Sequence, residues 1–231
     1  TIDPIFIVTF FGFFWIMCIG AQRLWRSFKP RGAVDIIGRK ESWPVALWHV
    51  LWDEVISAGK FSDCEGGPAT GVTQYDRRIS HTAMVWSFCI LTFVTTVVAI
   101  GHWGGKIIPM ILIETPMPQG FWVKIVANIG AFMLLIALIL LTWRRLALPP
   151  KYQSSSYYDW YLLGIIWAVA LTGLFSQFFR LADWIHCAFI TYYIHLVTVW
   201  MLFAWAPWSK LGHFIYRTTA LVYVRMYGRH A

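Results

Sequence analysis

Residues 192–217 read YYIHLVTVWMLFAWAPWSKLGHFIYR, with His195 deep in an apolar run and His213 just past its end. Followed back to residue 184, the run reaches 206 without an Asp, Glu, Lys or Arg. A helix needs about 20 such residues to cross roughly 30 Å of hydrocarbon at 1.5 Å per residue. Four more charge-free runs precede it, at 5–22, 79–101, 125–143 and 160–179. One such run can be a buried core helix. Five in succession, in a 231-residue chain that is 58% hydrophobic and 18% aromatic, cannot. The sequence therefore predicts an all-α fold, a polytopic membrane bundle of five transmembrane helices.

The charges suggest which way the bundle faces. Nine Lys and Arg lie in 23–78, Arg144, Arg145 and Lys151 follow the third run, and Lys210, Arg217, Arg225 and Arg229 follow the fifth. Sixteen of the nineteen basic residues thus share one side, leaving Lys106, Lys124 and Arg180 on the other. Basic loops stay in the cytoplasm, so the N-terminus is expected outside and the C-terminus inside, in the cytoplasmic (inner) membrane of a prokaryote. The net charge of +8 is mostly this topology signal. Because the basic residues border spans instead of forming one groove-sized patch, no nucleic-acid partner is expected. The four cysteines, Cys18, Cys64, Cys89 and Cys187, form no C-x-x-C pair, which argues against disulfides and cysteine-bound clusters within the chain.

Residues 1–231 read as a single membrane domain with a surface helix and cytoplasmic loop at 26–78 and a cytoplasmic tail at 207–231. Within the loop, SWPVALWHVLWDEVISAG places Val45, Leu47, Trp48, Leu51, Trp52 and Val55 on one broad helical face. That pattern predicts a helix lying at the membrane surface or against a partner.

Ionisable residues within spans are rare and usually functional, so the seven histidines carry most of the chemistry. His81 opens the second span and His102 lies just beyond its outer end; His195 lies within the fifth, and His213 follows its cytoplasmic end. His195 and His213 are eighteen residues apart, five turns and about 27 Å on an unbroken helix, so both would point the same way unless Pro207 kinks the path. His81 and His102 are twenty-one residues apart, about 32 Å. The two spans run in opposite directions, which matches His81 in depth with His213 and His102 with His195.

Two imidazoles facing across a gap are what a six-coordinate haem b requires. Zinc would want four close ligands, and no Cys or carboxylate accompanies either pair. The expectation is two haem b groups, one at the least, with axial ligands His81, His213, His195 and His102 on the iron. The alternative for each histidine is a structural hydrogen bond, and for His102 a place in a loop that caps the helix. Arg77, Arg78, Lys210 and Arg217 near the inner pair read either as propionate partners or as interfacial anchors. His186 is half a turn out of phase with His195 and reads as structural or quinone-adjacent; His49 and His230 read as solvated or interfacial.

KFSDCEGG, YDRRISHTAMVWSFCILTFVTTVVAI, VKIVANIGA and the run from YYDWYLLG through PWSKLGHFIYRTTALVYVR resemble the membrane half of the C subunit of the quinone-interacting membrane-bound oxidoreductase (Qmo). More distantly, His186, His195 and His213 repeat the last-span histidine pattern of the respiratory nitrate reductase gamma subunit, and the fold resembles heterodisulfide reductase membrane subunits. The resemblance implies a dihaem cytochrome b exchanging electrons with a menaquinone-type quinone, with His81, His195 and His213 matching family histidines. The nitrate reductase pattern has its second span-two histidine about ten residues after the first, where this chain has Leu91 and Thr92. His102 is the substitute. The iron–sulfur domain that precedes the membrane part in the Qmo C subunit does not occur within this sequence, so its clusters are expected on another subunit or upstream of Thr1.

Taken together, these readings predict a haem b membrane subunit of a respiratory oxidoreductase complex. It would link quinone to cytoplasmic iron–sulfur and flavin subunits through the segments 34–78 and 207–231, and would contact lipid along its spans. A quinone pocket needs an ionisable group, for which Lys106, Glu114, Arg180, Asp183 and His186 are the outer-side possibilities; each taken singly reads first as an ordinary loop charge. No residue is assigned a catalytic role. The rival readings are a haem-free anchor and a transporter, the latter disfavoured because no acidic residue lies inside the five runs.

Overall fold

A computed structural model describes residues 3–28, 41–56, 74–108, 110, 113, 117–147 and 156–227. Among them the regular structure is all helical, in the order α1 (Asp3–Ser27), α2 (Trp43–His49), a π-helical turn Val50–Ile56, α3 (Gln74–Ala99), a second π-helical turn Ile100–Gly104, α4 (Trp122–Ala147), α5 (Tyr157–Leu181), α6 (Ile185–Trp205), a 3₁₀ turn Ala206–Trp208, and α7 (Lys210–Tyr227). Five helical stretches are long and apolar enough to cross a membrane: Val8–Ser27, Ile79–Gly104, Trp122–Ala147, Tyr157–Leu181 and Ile185–Trp208. Each overlaps one of the five charge-free runs. The protein is an all-α, multi-pass membrane protein. Its exposed Trp15, Phe132, Ile136, Trp143, Phe175 and Phe189 suit contact with lipid.

The chain divides into two compact units, residues 1–59 with 154–231, and residues 60–153. The second unit is a hairpin of α3 and α4. The two helices approach closely because Gly130 offers no side chain: a Cβ there would stand 2.8 Å from Ile90 Cγ2 and 3.2 Å from Leu91 Cγ. Small residues at such crossings let dispersion contacts replace the hydrophobic drive that lipid removes. Arg144 and Arg145 end α4, at the negative end of its dipole.

In the first unit α5 and α6 form another hairpin. Asp159 Oδ2 accepts a 3.0 Å hydrogen bond from the Ser156 amide, the reciprocal cap that starts α5. The helix thus begins ahead of the charge-free run and carries one buried acid, 3% exposed, in its first turn. At the other end Asp183 turns the chain with a left-handed φ of 56°, and the Trp184 amide reaches back to the Phe179 carbonyl at 2.9 Å. The Phe179 and Trp184 rings stack over this turn.

The path from His195 to His213 is broken at Pro207. After α6 comes the 3₁₀ turn at Ala206–Trp208, then an extended Ser209. Ser209 Oγ accepts from the Leu211 amide at 3.1 Å and so caps α7. Gly212 allows the close return: a Cβ on it would lie 2.6 Å from the Pro207 carbonyl oxygen. Proline removes an amide donor and crowds the preceding turn, which makes a break here the cheaper solution.

The helix beginning at Trp43 forms, and the side opposite its outward aromatics seats it on α7. Ala46 and Val50 are buried against Val222 and Met226 of α7, with Trp25, Leu47, Leu221 and Tyr227 around them. Val45, Trp48 and Trp52, on the apolar face read from the sequence, point outward, the two indoles stacked at 6.0 Å. Arg225 clamps the packing from α7: it lies 3.0 Å from His49 Nδ1, donates to Asp53 Oδ2 at 3.1 Å, and lies 3.7 Å from Glu41 Oε1. His49, expected to be solvated or interfacial, is half-buried in this cluster.

Candidate functional site

The best-defined polar site within a span is around His195. Its ring lies ten residues into the stretch Ile185–Trp208 and is half-buried. Thr172 on α5 places Oγ1 3.0 Å from His195 Nδ1. The Thr172 hydroxyl hydrogen is already committed, at 2.6 Å, to the Ala168 carbonyl one turn back. Thr198, 3.5 Å from Thr172, likewise donates to the His195 carbonyl at 2.9 Å. With both hydroxyl protons placed on carbonyls, the Thr172 oxygen is available to accept from His195 Nδ1–H, and the Val169 backbone is a second hydrogen-bond partner of the ring. That assignment follows from the hydrogen-bond network, and it leaves the lone pair on Nε2.

Next to Thr172, Gly173 makes room for the ring. A Cβ at Gly173 would come within 3.1 Å of His195 Cε1, 3.4 Å of Nδ1 and 3.7 Å of Nε2. The pair Thr172–Gly173 therefore fixes both the tautomer and the seat of one imidazole in the apolar layer. An Nδ1–H held by a second residue, with Nε2 unencumbered, is the state in which histidine binds metals.

The other three expected ligands have different settings. His213 is exposed in the first turn of α7, beyond the helix break, so the five-turn alignment with His195 does not apply. His81 is half-buried on α3, two residues from one end of its span. His102 lies two residues from the other end of that span, inside the π-helical turn instead of a capping loop, with its ring edge-on to Trp103 at 5.8 Å. π-Helical turns inside longer helices occur frequently at functional positions, because they shift the face a side chain presents. Gly101 in the same turn packs against Ile113.

Among the quinone-site residues, Arg180, Asp183 and His186 come together at the turn between α5 and α6, with Asp183 and His186 exposed. Asp183 has a backbone role there as the left-handed residue that closes α5. Lys106 lies in the other unit, its ammonium 4.2 Å from the centre of the Trp103 ring. Glu114 lies outside the described residues, as do His230, Cys64 and much of the segment 34–78. Among the described residues no three His, Cys, Asp or Glu side chains group as ligands of a single ion, and Cys18, Cys89 and Cys187 are free and exposed.

Thr172, Gly173 and Thr198 carried no signal in the sequence that singled them out. Threonine and glycine are common in transmembrane helices, and only the register of α5 against α6 gives these three their meaning.

No curated protein and no solved structure matches the chain. The sequence model of one family, described as CitB, citrate utilization protein B, matches residues 8–231. Neither result bears on the likeness to the Qmo, nitrate reductase and heterodisulfide reductase membrane subunits. A match over nearly the full length does settle membership: the chain belongs to the citrate utilization protein B family.

Proposed function

We propose that this protein is a haem b membrane subunit of a quinone-linked oxidoreductase complex in the cytoplasmic membrane of a prokaryote. It passes electrons between a menaquinone-type quinone and cytoplasmic iron–sulfur and flavin subunits, with its C-terminus on the cytoplasmic side. The observation that carries this reading is the setting of His195: an intramembrane imidazole held at Nδ1 by Thr172, seated on Gly173, with Nε2 left to coordinate. The donor chemistry fits an axial haem ligand, which needs one nitrogen per face of the iron and no further protein group.

Haem b, with His81, His213, His195 and His102 as the expected iron ligands, would supply one-electron transfer. The chain's own part is to fix ring orientation, exclude water around His195 and space the ligands along the spans. Arg180 and His186 at the α5–α6 turn provide a cation and a proton-exchanging group for a quinone headgroup, whose reduction takes up two electrons and two protons. The family's description supports a place for the complex in the use of citrate, a soluble trianion that the partner subunits would handle.

Adding a menaquinol analogue to the purified protein tests the reading. Reduction of a b-type absorption band supports it. A b-type band that the quinol does not reduce removes the quinone link. Absence of any band after expression with haem leaves a haem-free anchor subunit, the reading that the exposure of His213 favours.

A further inference from the structure

We infer that Thr172 is a positioning residue for the His195-bound haem, setting the imidazole tautomer and with it the reduction potential of that iron; the inference rests on the haem reading above. Thr172 is itself immobilised: its hydroxyl donates to the Ala168 carbonyl at 2.6 Å, and Thr198 stands 3.5 Å away with its own proton on the His195 carbonyl. Thr172 Oγ1 lies 3.0 Å from His195 Nδ1 and, with its own proton on the Ala168 carbonyl, is placed to accept from Nδ1–H. A neutral hydroxyl acceptor strengthens the Nδ1–H bond less than a carboxylate would, but in an apolar layer no water competes for the proton. Polarising Nδ1–H makes Nε2 a better donor to iron, which favours the ferric state and lowers the potential. With the Thr172 proton on the Ala168 carbonyl, the same contact favours the proton on Nδ1 and leaves Nε2 for the iron.

The test compares Thr172→Val, Thr172→Ser and the unaltered chain by redox titration of the visible spectrum and by low-temperature electron paramagnetic resonance of the oxidised protein. Thr172→Val keeps the shape and removes the acceptor. The expected result is a raised midpoint potential and altered g-values for one haem only, the one lost in His195→Ala, with Thr172→Ser restoring both. Thr172→Val with haem bound and with potential and g-values unchanged overturns the inference and leaves the haem reading standing. Haem absent from the unaltered chain overturns the haem reading. Should Thr172→Val fail to accumulate, Thr172→Ala is read the same way, and Thr172→Ser must still match the unaltered chain; a Ser variant shifted like a null acceptor contradicts the hydroxyl's role.

Discussion

Gly173 lies directly under the imidazole of His195, so close that a Cβ would meet Cε1 at 3.1 Å. The ring must give by a few tenths of an ångström to admit a methyl group, and it has nowhere to go without stretching the 3.0 Å contact to Thr172. Gly173→Ala should therefore leave the protein folded while broadening or shifting the absorption of one haem. Gly173→Val should remove that haem. Gly164, on the same helix, has nothing within 4 Å of its Cβ position and serves as control. Gly164→Ala should be neutral or stabilise by about 0.5–1 kcal/mol through helix propensity. Haem content per chain and a melting curve in detergent separate the two cases.

The α3–α4 hairpin depends on Gly130. A methyl group there stands 2.8 Å from the branched Ile90 side chain, which has little rotamer freedom in a helix. Gly130→Ala should lower stability by about 1–3 kcal/mol, the usual cost of overpacking. Ile90→Ala in the same chain should restore part of the loss. If Gly130→Ala melts at the temperature of the unaltered protein, the close crossing is wrong.

Gly212 is more stringent, because its neighbour is backbone. A Cβ would lie 2.6 Å from the Pro207 carbonyl oxygen, and a carbonyl cannot rotate away as a side chain can. Gly212→Ala should displace α7 and disturb the environment of His213, seen as loss of the haem that His213→Ala also removes. A variant with full haem content and unaltered spectra would show that the return after Ser209 is looser than described.

Arg225 and Asp53 hold the Trp43–Ile56 segment to α7 by a 3.1 Å contact, but Arg225 is 31% exposed and Asp53 51%. Solvent screens such a pair, so a double-mutant cycle of Arg225→Ala and Asp53→Ala should give a coupling of about 0.2–1 kcal/mol. Ala46→Leu, placed in the buried face with Val50, Val222 and Met226, should cost more than either charge deletion. The reverse order of effects would mean that charge, not packing, seats this helix.

How far the sequence foretold this structure varies by element. Uninterrupted apolar length is a one-dimensional property, and all five spans were legible from it. The break between α6 and α7 was visible as Pro207, but its extent depends on the Ser209 cap and Gly212, which act only in three dimensions. The apolar pattern of the Trp43 helix was legible, but that Ala46 and Val50 seat it on Val222 and Met226 depends on tertiary contacts that periodicity does not carry. The histidines stood out by type. Their surroundings did not: Thr172 and His195 are 23 residues apart, and nothing but the packing of α5 on α6 brings them together.

The central claim is that His195 binds haem iron through Nε2. The most direct measurement is the dithionite-reduced minus oxidised visible spectrum of the purified chain, expressed with haem supplied, beside His195→Ala and His186→Ala. The account predicts b-type bands in the unaltered chain and in His186→Ala, whose ring is exposed at the start of α6. It predicts that His195→Ala loses one haem equivalent. Spectra without b-type bands, or bands at full strength in His195→Ala, would contradict it.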